Sequence, residues 1–179
     1  HFLIRLAVQD LPAKSHALCV GVGTGAEILS LAKAFPQWTF VGLDPSAAML
    51  EVARERLAQA GVLERCQLLH GYAQDAPLGQ NFDVALSVLV AHFVKRGERL
   101  DYFRNMTSRL RKGGSLINTE ISSDLDAPEF PAMLKNWEKV QELMGATPES
   151  IANLPKLLRE MLSVLSPRET EELLRQSGI

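Results

Sequence analysis

A chain of 179 residues, 46% hydrophobic and 22% charged, is long enough for one domain with a sizeable core. Its net charge of −2 is spread along the chain with no polybasic arm, so nothing in the composition favours nucleic acid as a partner. No run has the length of a membrane span, and the opening residues do not read as a signal peptide. Cys19 and Cys66, both in apolar runs, read as buried thiols of a reducing compartment, which implies a cytoplasmic protein.

Residues 1–9 read as the tail of a helix closed by Asp10-Leu-Pro12. Ala17 to Val20 is the first expected strand. Ile28, Leu31, Ala32 and Phe35 then recur at helical spacing until Pro36. Trp38 to Leu43, aromatic and β-branched, is a second strand. Pro45 to Ala60 is a helix with Leu50, Ala53 and Leu57 on one face, ended by Gly61. Cys66 to His70 is a third strand, Gly71 to Gln80 a polar loop, and Phe82 to Val88 a fourth strand whose unbroken apolar character implies burial on both faces. A helix follows over Arg99 to Arg111, with Leu100, Phe103, Thr107 and Leu110 inward and Lys112-Gly-Gly114 as its end. Ser115 to Ile121 is a fifth strand.

The alternation of strand and helix predicts a doubly wound, mostly parallel α/β sheet with helices on both faces. After strand five the pattern changes: Phe130 to Met144 and Pro148 to Leu162 both read as helices. Ser166-Pro-Arg-Glu169 is a capping box with proline at the first helical position, opening a last helix that ends at Gly178.

The stretch Ala17-Leu-Cys-Val-Gly-Val-Gly-Thr-Gly25 is a buried strand running into three glycines and a helix start. Missing β-carbons let a ligand approach the backbone, and the helix N-terminus offers free N–H groups at the same spot. Asp44, at the end of the second strand, suits the two hydroxyls of a ribose. The glycine loop, Asp44, Gly71 and Ser87 all fall at strand C-termini, where open parallel sheets bind ligands. These residues point to a nucleoside-containing cofactor. Gly21-Val-Gly-Thr-Gly-Ala26 also fits the dinucleotide fingerprint, so the residues alone leave NAD open.

Several ordered blocks go further. They are Leu18-Cys-Val-Gly-Val-Gly-Thr-Gly25, Val41-Gly-Leu-Asp-Pro-Ser46 with Met49-Leu50, Gly71-Tyr-Ala-Gln-Asp75, Phe82-Asp-Val84, and Leu110-Arg-Lys-Gly-Gly114 before a strand. In their order and spacing the chain resembles the class I, Rossmann-like, S-adenosylmethionine-dependent methyltransferases over nearly its whole length. The resemblance implies one methyltransferase domain over 1–179, with 126–163 as a helical cap over the substrate pocket. It implies S-adenosylmethionine as cofactor and S-adenosylhomocysteine as product. Gly21, Gly23 and Gly25 would admit the methionine part of the cofactor and Asp44 would take the ribose hydroxyls. Pro45 and Met49 would lie at the adenine, Tyr72 and Ala73 would meet its edge, and Ser87 would lie near the sulfonium.

Two positions depart from the family pattern. Cys19 stands where an acid commonly precedes the first glycine by two positions, so contacts toward the cofactor's amino group fall to another residue such as Glu27. Tyr72 stands where an aspartate often follows Gly71, so stacking would replace a carboxylate contact.

His92, just after strand four, is the candidate general base, and Glu120, near the end of strand five, the candidate for orienting an acceptor. Each has a plain alternative: a histidine bonded into the pocket wall, and a paired carboxylate. Trp137 lines the pocket or packs the cap. The remaining histidines are scattered and no metal site is expected. The acceptor is unnamed, with a small molecule favoured, and self-association to a homodimer stays open. Rival readings are an enzyme that modifies S-adenosylmethionine itself, as carboxy-S-adenosylmethionine synthases do, an NAD-dependent oxidoreductase, and a non-catalytic cofactor-binding module. The start at His1 and the end at Ile179 lead to the expectation that the chain is part of a longer protein at both ends.

Overall fold

Five apolar runs pair side by side in a computed structural model that describes residues 2–79 and 81–179. They are β1 (His16–Val20), β2 (Thr39–Asp44), β3 (Cys66–His70), β4 (Phe82–Val88) and β5 (Leu110–Thr119). Their order is β3-β2-β1-β4-β5, and every pairing is parallel. The order reverses at β1, whose Ala17 lies opposite Phe40 on one side and Val84 on the other. That reversal opens a crevice beyond the strand C-termini.

One face of the sheet packs on α1 (Phe2–Ala7), α2 (Ala26–Ala34) and α3 (Ala47–Gln59). Ile4, Ile28, Leu31, Leu50 and Leu57 meet Cys19, Phe40 and Leu86 there. Trp38 closes this layer, fully buried, with its indole N–H donated to the Pro12 carbonyl at 3.1 Å. The other face packs on α4 (Arg99–Thr107) and α8 (Pro167–Gln176), through Tyr102, Phe103, Met106, Leu173 and Leu174. A third, smaller cluster of Phe130, Leu154, Leu158, Leu162 and Val164 lies under α5 (Phe130–Leu143) and the segment after it. The α8 capping box is present in both directions: the Glu169 N–H donates to the Ser166 hydroxyl, and the Glu169 carboxylate accepts the Ser166 N–H at 2.9 Å.

The structure moves three expected boundaries. The helix expected to run to Arg111 stops at Thr107. Arg109 turns inward instead and donates to the carbonyls of Gln74, Ala76 and Asn105. Arg99, Tyr102, Phe103 and Met106 form its buried face, so Thr107 and Leu110 do not. Second, Lys112-Gly-Gly114 lies inside β5 and does not end a helix. The register jumps there, from Phe82 opposite Leu110 to Val84 opposite Ser115. Gly113 takes φ +76, and a Cβ on Gly114 would come within 3.0 Å of the Phe82 carbonyl. The glycines make a bulge that only they can fill. Third, the helix expected over Pro148 to Leu162 is broken into α6 (Pro148–Ala152), α7 (Leu154–Lys156) and one wide turn over Leu157–Met161. Pro155 has no N–H to donate and its ring blocks the preceding turn.

Candidate functional site

The crevice at the β1/β4 reversal is walled by the loops that leave β1, β2, β3 and β4. It is a cleft of about 570 Å³ lined by Val20, Gly21, Pro45, Gly71, Tyr72 and Ala73 on one side. Val90, Phe93, Val94 and Tyr102 line the other. Of the residues singled out from the sequence, Gly21, Pro45, Gly71, Tyr72 and Ala73 line this cleft, whereas Gly23, Gly25, Asp44, Met49 and Ser87 do not.

The glycine loop is stapled to β2, since the N–H groups of Gly21 and Val22 both donate to the Leu43 carbonyl, at 2.7 and 2.9 Å. Each glycine has its own reason. A Cβ on Gly21, at φ +71, would lie 2.4 Å from a Val90 methyl, so this glycine lets the loop after β4 close on the loop after β1. Gly23, at φ +51, faces open space in which a ligand can reach the backbone. Gly25 is buried, and a Cβ there would press on Ala53 at 3.3 Å. Its part is close packing of α2 on α3.

Asp44 ends β2 with its carboxylate buried and fixed. One oxygen accepts the Gly23 N–H and the other the Ser46 N–H, both at 2.8 Å. The Ser46 hydroxyl in turn caps α3 by accepting the Met49 N–H. The acid therefore joins two of the loops that shape the crevice, and each oxygen keeps a lone pair for a hydroxyl donor. Met49, in the first turn of α3, is half exposed and stands outside the cleft lining. Glu27, in the first turn of α2, is buried, and its carboxyl is pushed up to about 7 by burial and by the charge of Asp44. Burial likewise raises the Cys19 thiol well above its ordinary range.

Ser87 sits at the end of β4 but faces α4 and not the cleft. It is fully buried and accepts the Tyr102 hydroxyl at 2.8 Å. Tyr102, whose ring lines the cleft, was not legible as a site residue; nor were Val90, Phe93 and Val94. For Val90, Phe93 and Val94 the available signal was their place in the loop after β4.

His92 and Glu120, the two candidates for proton handling and acceptor orientation, are both held by hydrogen bonds within the fold. His92 is buried, and its Nδ1 accepts the Ile121 N–H at 3.2 Å. The neutral ring thus carries its proton on Nε2, and its basic lone pair is already used. Burial lowers its pKa, with Glu120 opposing and Arg99 reinforcing the shift. Glu120 forms an ion pair with Arg99 in which both side chains are essentially inaccessible, 3% and 0% exposed. Its second oxygen accepts Thr170 at 2.8 Å and Asn118 at 3.2 Å. Arg99 also donates to the carbonyls of Val94 and Ser163. The pair clamps the loop after β4, the exit of β5 and the approach to α8.

A second cavity of about 330 Å³ lies where β5 leads into the helices. Ile121, Leu134, Trp137, Leu158 and Val164 line it, with Glu120 at one end. Trp137 both lines this cavity and packs on the small apolar cluster. Among the described residues no three acidic, histidine or cysteine side chains gather as a metal site, and no helix is long and apolar enough to cross a membrane.

A parallel sheet reversing at β1, a glycine loop open to the backbone and a fixed acid ending β2 define a Rossmann-like site for a nucleoside-containing cofactor. Residues 17–114 match the methyltransferase domain family. The chain belongs to it, among the class I, Rossmann-like, S-adenosylmethionine-dependent methyltransferases. It is 33% identical over 150 residues to a trans-aconitate 2-methyltransferase of Deinococcus radiodurans, covering 77% of this chain and 54% of the relative. It is 27% identical over 168 residues to a carboxy-S-adenosyl-L-methionine synthase of Trichodesmium erythraeum, covering 92% of this chain and 65% of that protein. An O-methyltransferase family protein from Burkholderia thailandensis shares the fold with a TM-score of 0.70 at 14% identity, covering 99% of this chain and half of that one.

Proposed function

We propose that the protein transfers a methyl group from S-adenosylmethionine to a small-molecule acceptor. The observation that carries this is the Asp44 carboxylate, buried at the end of β2 and held by the Gly23 and Ser46 N–H groups, beside a glycine loop in which Gly23 faces open space. The residues fit the cofactor. Asp44 would take the ribose hydroxyls, Pro45, Tyr72 and Ala73 would flank the adenine, and Gly21 and Gly23 would pass under the methionine part. Glu27, near enough to Asp44 to feel its charge, is the acid that would face the amino group in place of the one absent at Cys19. When bound, the cofactor would supply a methyl group already activated by its sulfonium.

The chain's own task is to align and to exclude water. Arg99, Glu120 and His92 perform it by holding the loop after β4 against the exit of β5, and the helices of 126–163 act as the cap. The free thiols support a cytoplasmic location. A second reading, formation of carboxy-S-adenosylmethionine, is favoured by the synthase relatives that align with nearly all of this chain.

Calorimetric titration with S-adenosylhomocysteine and with NADH tests the proposal. S-adenosylhomocysteine alone should bind, and Asp44→Ala should weaken it by about 1–3 kcal/mol, the scale for losing hydrogen bonds to a charged group. NADH binding without S-adenosylhomocysteine binding would overturn the methyl-transfer reading. Mass spectrometry of the turned-over cofactor separates the two enzymes, because only the second yields a cofactor heavier by a carboxyl group.

A further inference from the structure

Three consecutive residues beyond β5 are pinned by hydrogen bonds. The Ile121 N–H donates to His92 Nδ1 at 3.2 Å, the Ser122 hydroxyl to the Leu165 carbonyl at 2.7 Å, and the Ser123 N–H to the same carbonyl at 3.0 Å. All three line the second cavity, of about 330 Å³. Facing them, α5 contributes Phe130, Leu134 and Trp137, and the wide turn after α7 contributes Leu158. Interiors are close-packed, so a void of this size forfeits contacts unless something fills it. Its volume lies in the range of small-molecule sites, roughly 300–1,000 Å³.

This cavity is separate from the cofactor cleft but adjoins the same loop. His92 receives the Ile121 N–H, and its carbonyl receives the Ser163 N–H at 2.8 Å, next to the lining residue Val164. The neighbours of His92 in the chain, Val90, Phe93 and Val94, line the cleft. Among the described residues none lines both spaces.

The lining is apolar and carries no positive charge. Among its described residues there is no lysine, arginine or histidine. Its one carboxylate, Glu120, is committed to Arg99, Asn118 and Thr170. Arg159 stands over the Phe130 ring at 5.6 Å but outside the lining, and it is held by Asp126 and the Leu125 carbonyl. An anion would therefore meet a carboxylate and no free guanidinium fork. Two aromatic rings, Phe130 and Trp137, suit a flat apolar molecule. The Trp137 indole N–H and the Ser123 hydroxyl have no partner among the described residues, so both can bond an oxygen on that molecule. Apolar cavities of about 150 Å³ stay dry and take up benzene, which leaves room here for about two fused rings.

We propose that the second cavity holds the acceptor, and that the acceptor is a neutral, ring-bearing molecule with a hydrogen-bonding oxygen. Its role as acceptor rests on the methyl-transfer reading. Its chemistry rests on the cavity alone.

The test follows the indole N–H signals of the two tryptophans by NMR in protein saturated with S-adenosylhomocysteine. The probes are 2-naphthol, a neutral aromatic alcohol, and trans-aconitate, an anion. Naphthol should shift the Trp137 signal and leave that of Trp38, which is fully buried in the α1–α3 layer. Trans-aconitate should shift neither. In calorimetry Leu134→Trp, which fills the cavity, should weaken naphthol by about tenfold or more, since the rings lose the apolar area they bury there, with S-adenosylhomocysteine affinity kept. If that variant loses S-adenosylhomocysteine binding as well, Met133→Trp, at a lining position 53% exposed, gives the same reading without crowding the core. No Trp137 shift with naphthol, a Trp137 shift with trans-aconitate, or full naphthol affinity in the filled variant would each overturn the proposal. A naphthol shift at Trp137 in a protein that takes no S-adenosylhomocysteine would uphold the cavity's chemistry and sink the methyl-transfer reading instead.

Discussion

Truncating Glu120 to alanine is the perturbation with the largest expected effect outside the cleft. It would leave the Arg99 guanidinium as a cation with no solvent access, along with the Thr170 hydroxyl and the Asn118 amide that now donate to the lost carboxylate. Breaking one side of a buried pair costs about 3–5 kcal/mol, because the remaining charge is stranded. In a domain of this size each kcal/mol lowers the melting temperature by roughly 2–4 °C, so a fall of roughly 6–20 °C is expected. Removing both charges together, as Arg99→Met with Glu120→Leu, should recover most of the loss, since the desolvation of the ions disappears with them. Urea unfolding of the two single variants and the double variant, followed by circular dichroism, closes the cycle and isolates the coupling. A loss below about 1 kcal/mol in Glu120→Ala would mean that water reaches the pair, and the clamp between the loop after β4 and the exit of β5 would have to be abandoned.

Glu27 titrates at about 7 in the fold against an ordinary 4.5, so the native state holds its proton more tightly than the unfolded chain does. Stability linked to it therefore falls as pH rises from about 4.5 to 7, and Glu27→Gln should gain at most about 3 kcal/mol above that window and nothing below it. Equal stability of variant and wild type in urea melts above pH 7 would refute the burial of this carboxyl. Ser166→Ala removes the hydroxyl that accepts the Glu169 N–H and should cost about 1 kcal/mol, read from the urea midpoint. Burial raises both thiols, Cys66 to about 11, so neither should be alkylated by iodoacetamide in the native protein at mildly alkaline pH. Rapid labelling of Cys19 without unfolding would show that the centre of the sheet is open.

Four strands were legible because a parallel sheet writes itself as apolar runs: β3 and β4 match their expected bounds and β1 and β2 differ by single residues, whereas β5, expected over Ser115 to Ile121, runs over Leu110–Thr119. The boundaries that failed had two causes. Arg109 and Gly114 act through contacts with distant residues, of which a local pattern carries no trace, whereas Pro155 acts by a local rule. The same holds at the site. The glycine loop and Asp44 stood out as candidates because the chemistry proposed for them is tied to their place after a strand. Arg99 reads as a surface residue opening a helix, and only the arrival of Glu120, Val94 and Ser163 from elsewhere in the chain makes it a buried hub. Ser87 and His92 were placed at the correct edge, but their side-chain directions depended on Tyr102 and Ile121, which no spacing predicts.

The parallel order of the sheet also sets the sequence of events in which the crevice can come into being. His16 is 23 residues from its β2 neighbour Thr39 but 67 from Asp83 of β4, whose carboxylate its N–H meets. Closing the longer loop costs about 1 kcal/mol more chain entropy than closing the shorter one. The half made of β1, β2 and β3 can therefore assemble first, with the glycine loop and Asp44 already joined, while the wall supplied by Val90, Phe93 and Tyr102 arrives only when β4 docks. A ligand that needs both walls would bind no partly folded form, and its presence would slow unfolding of the chain as a whole.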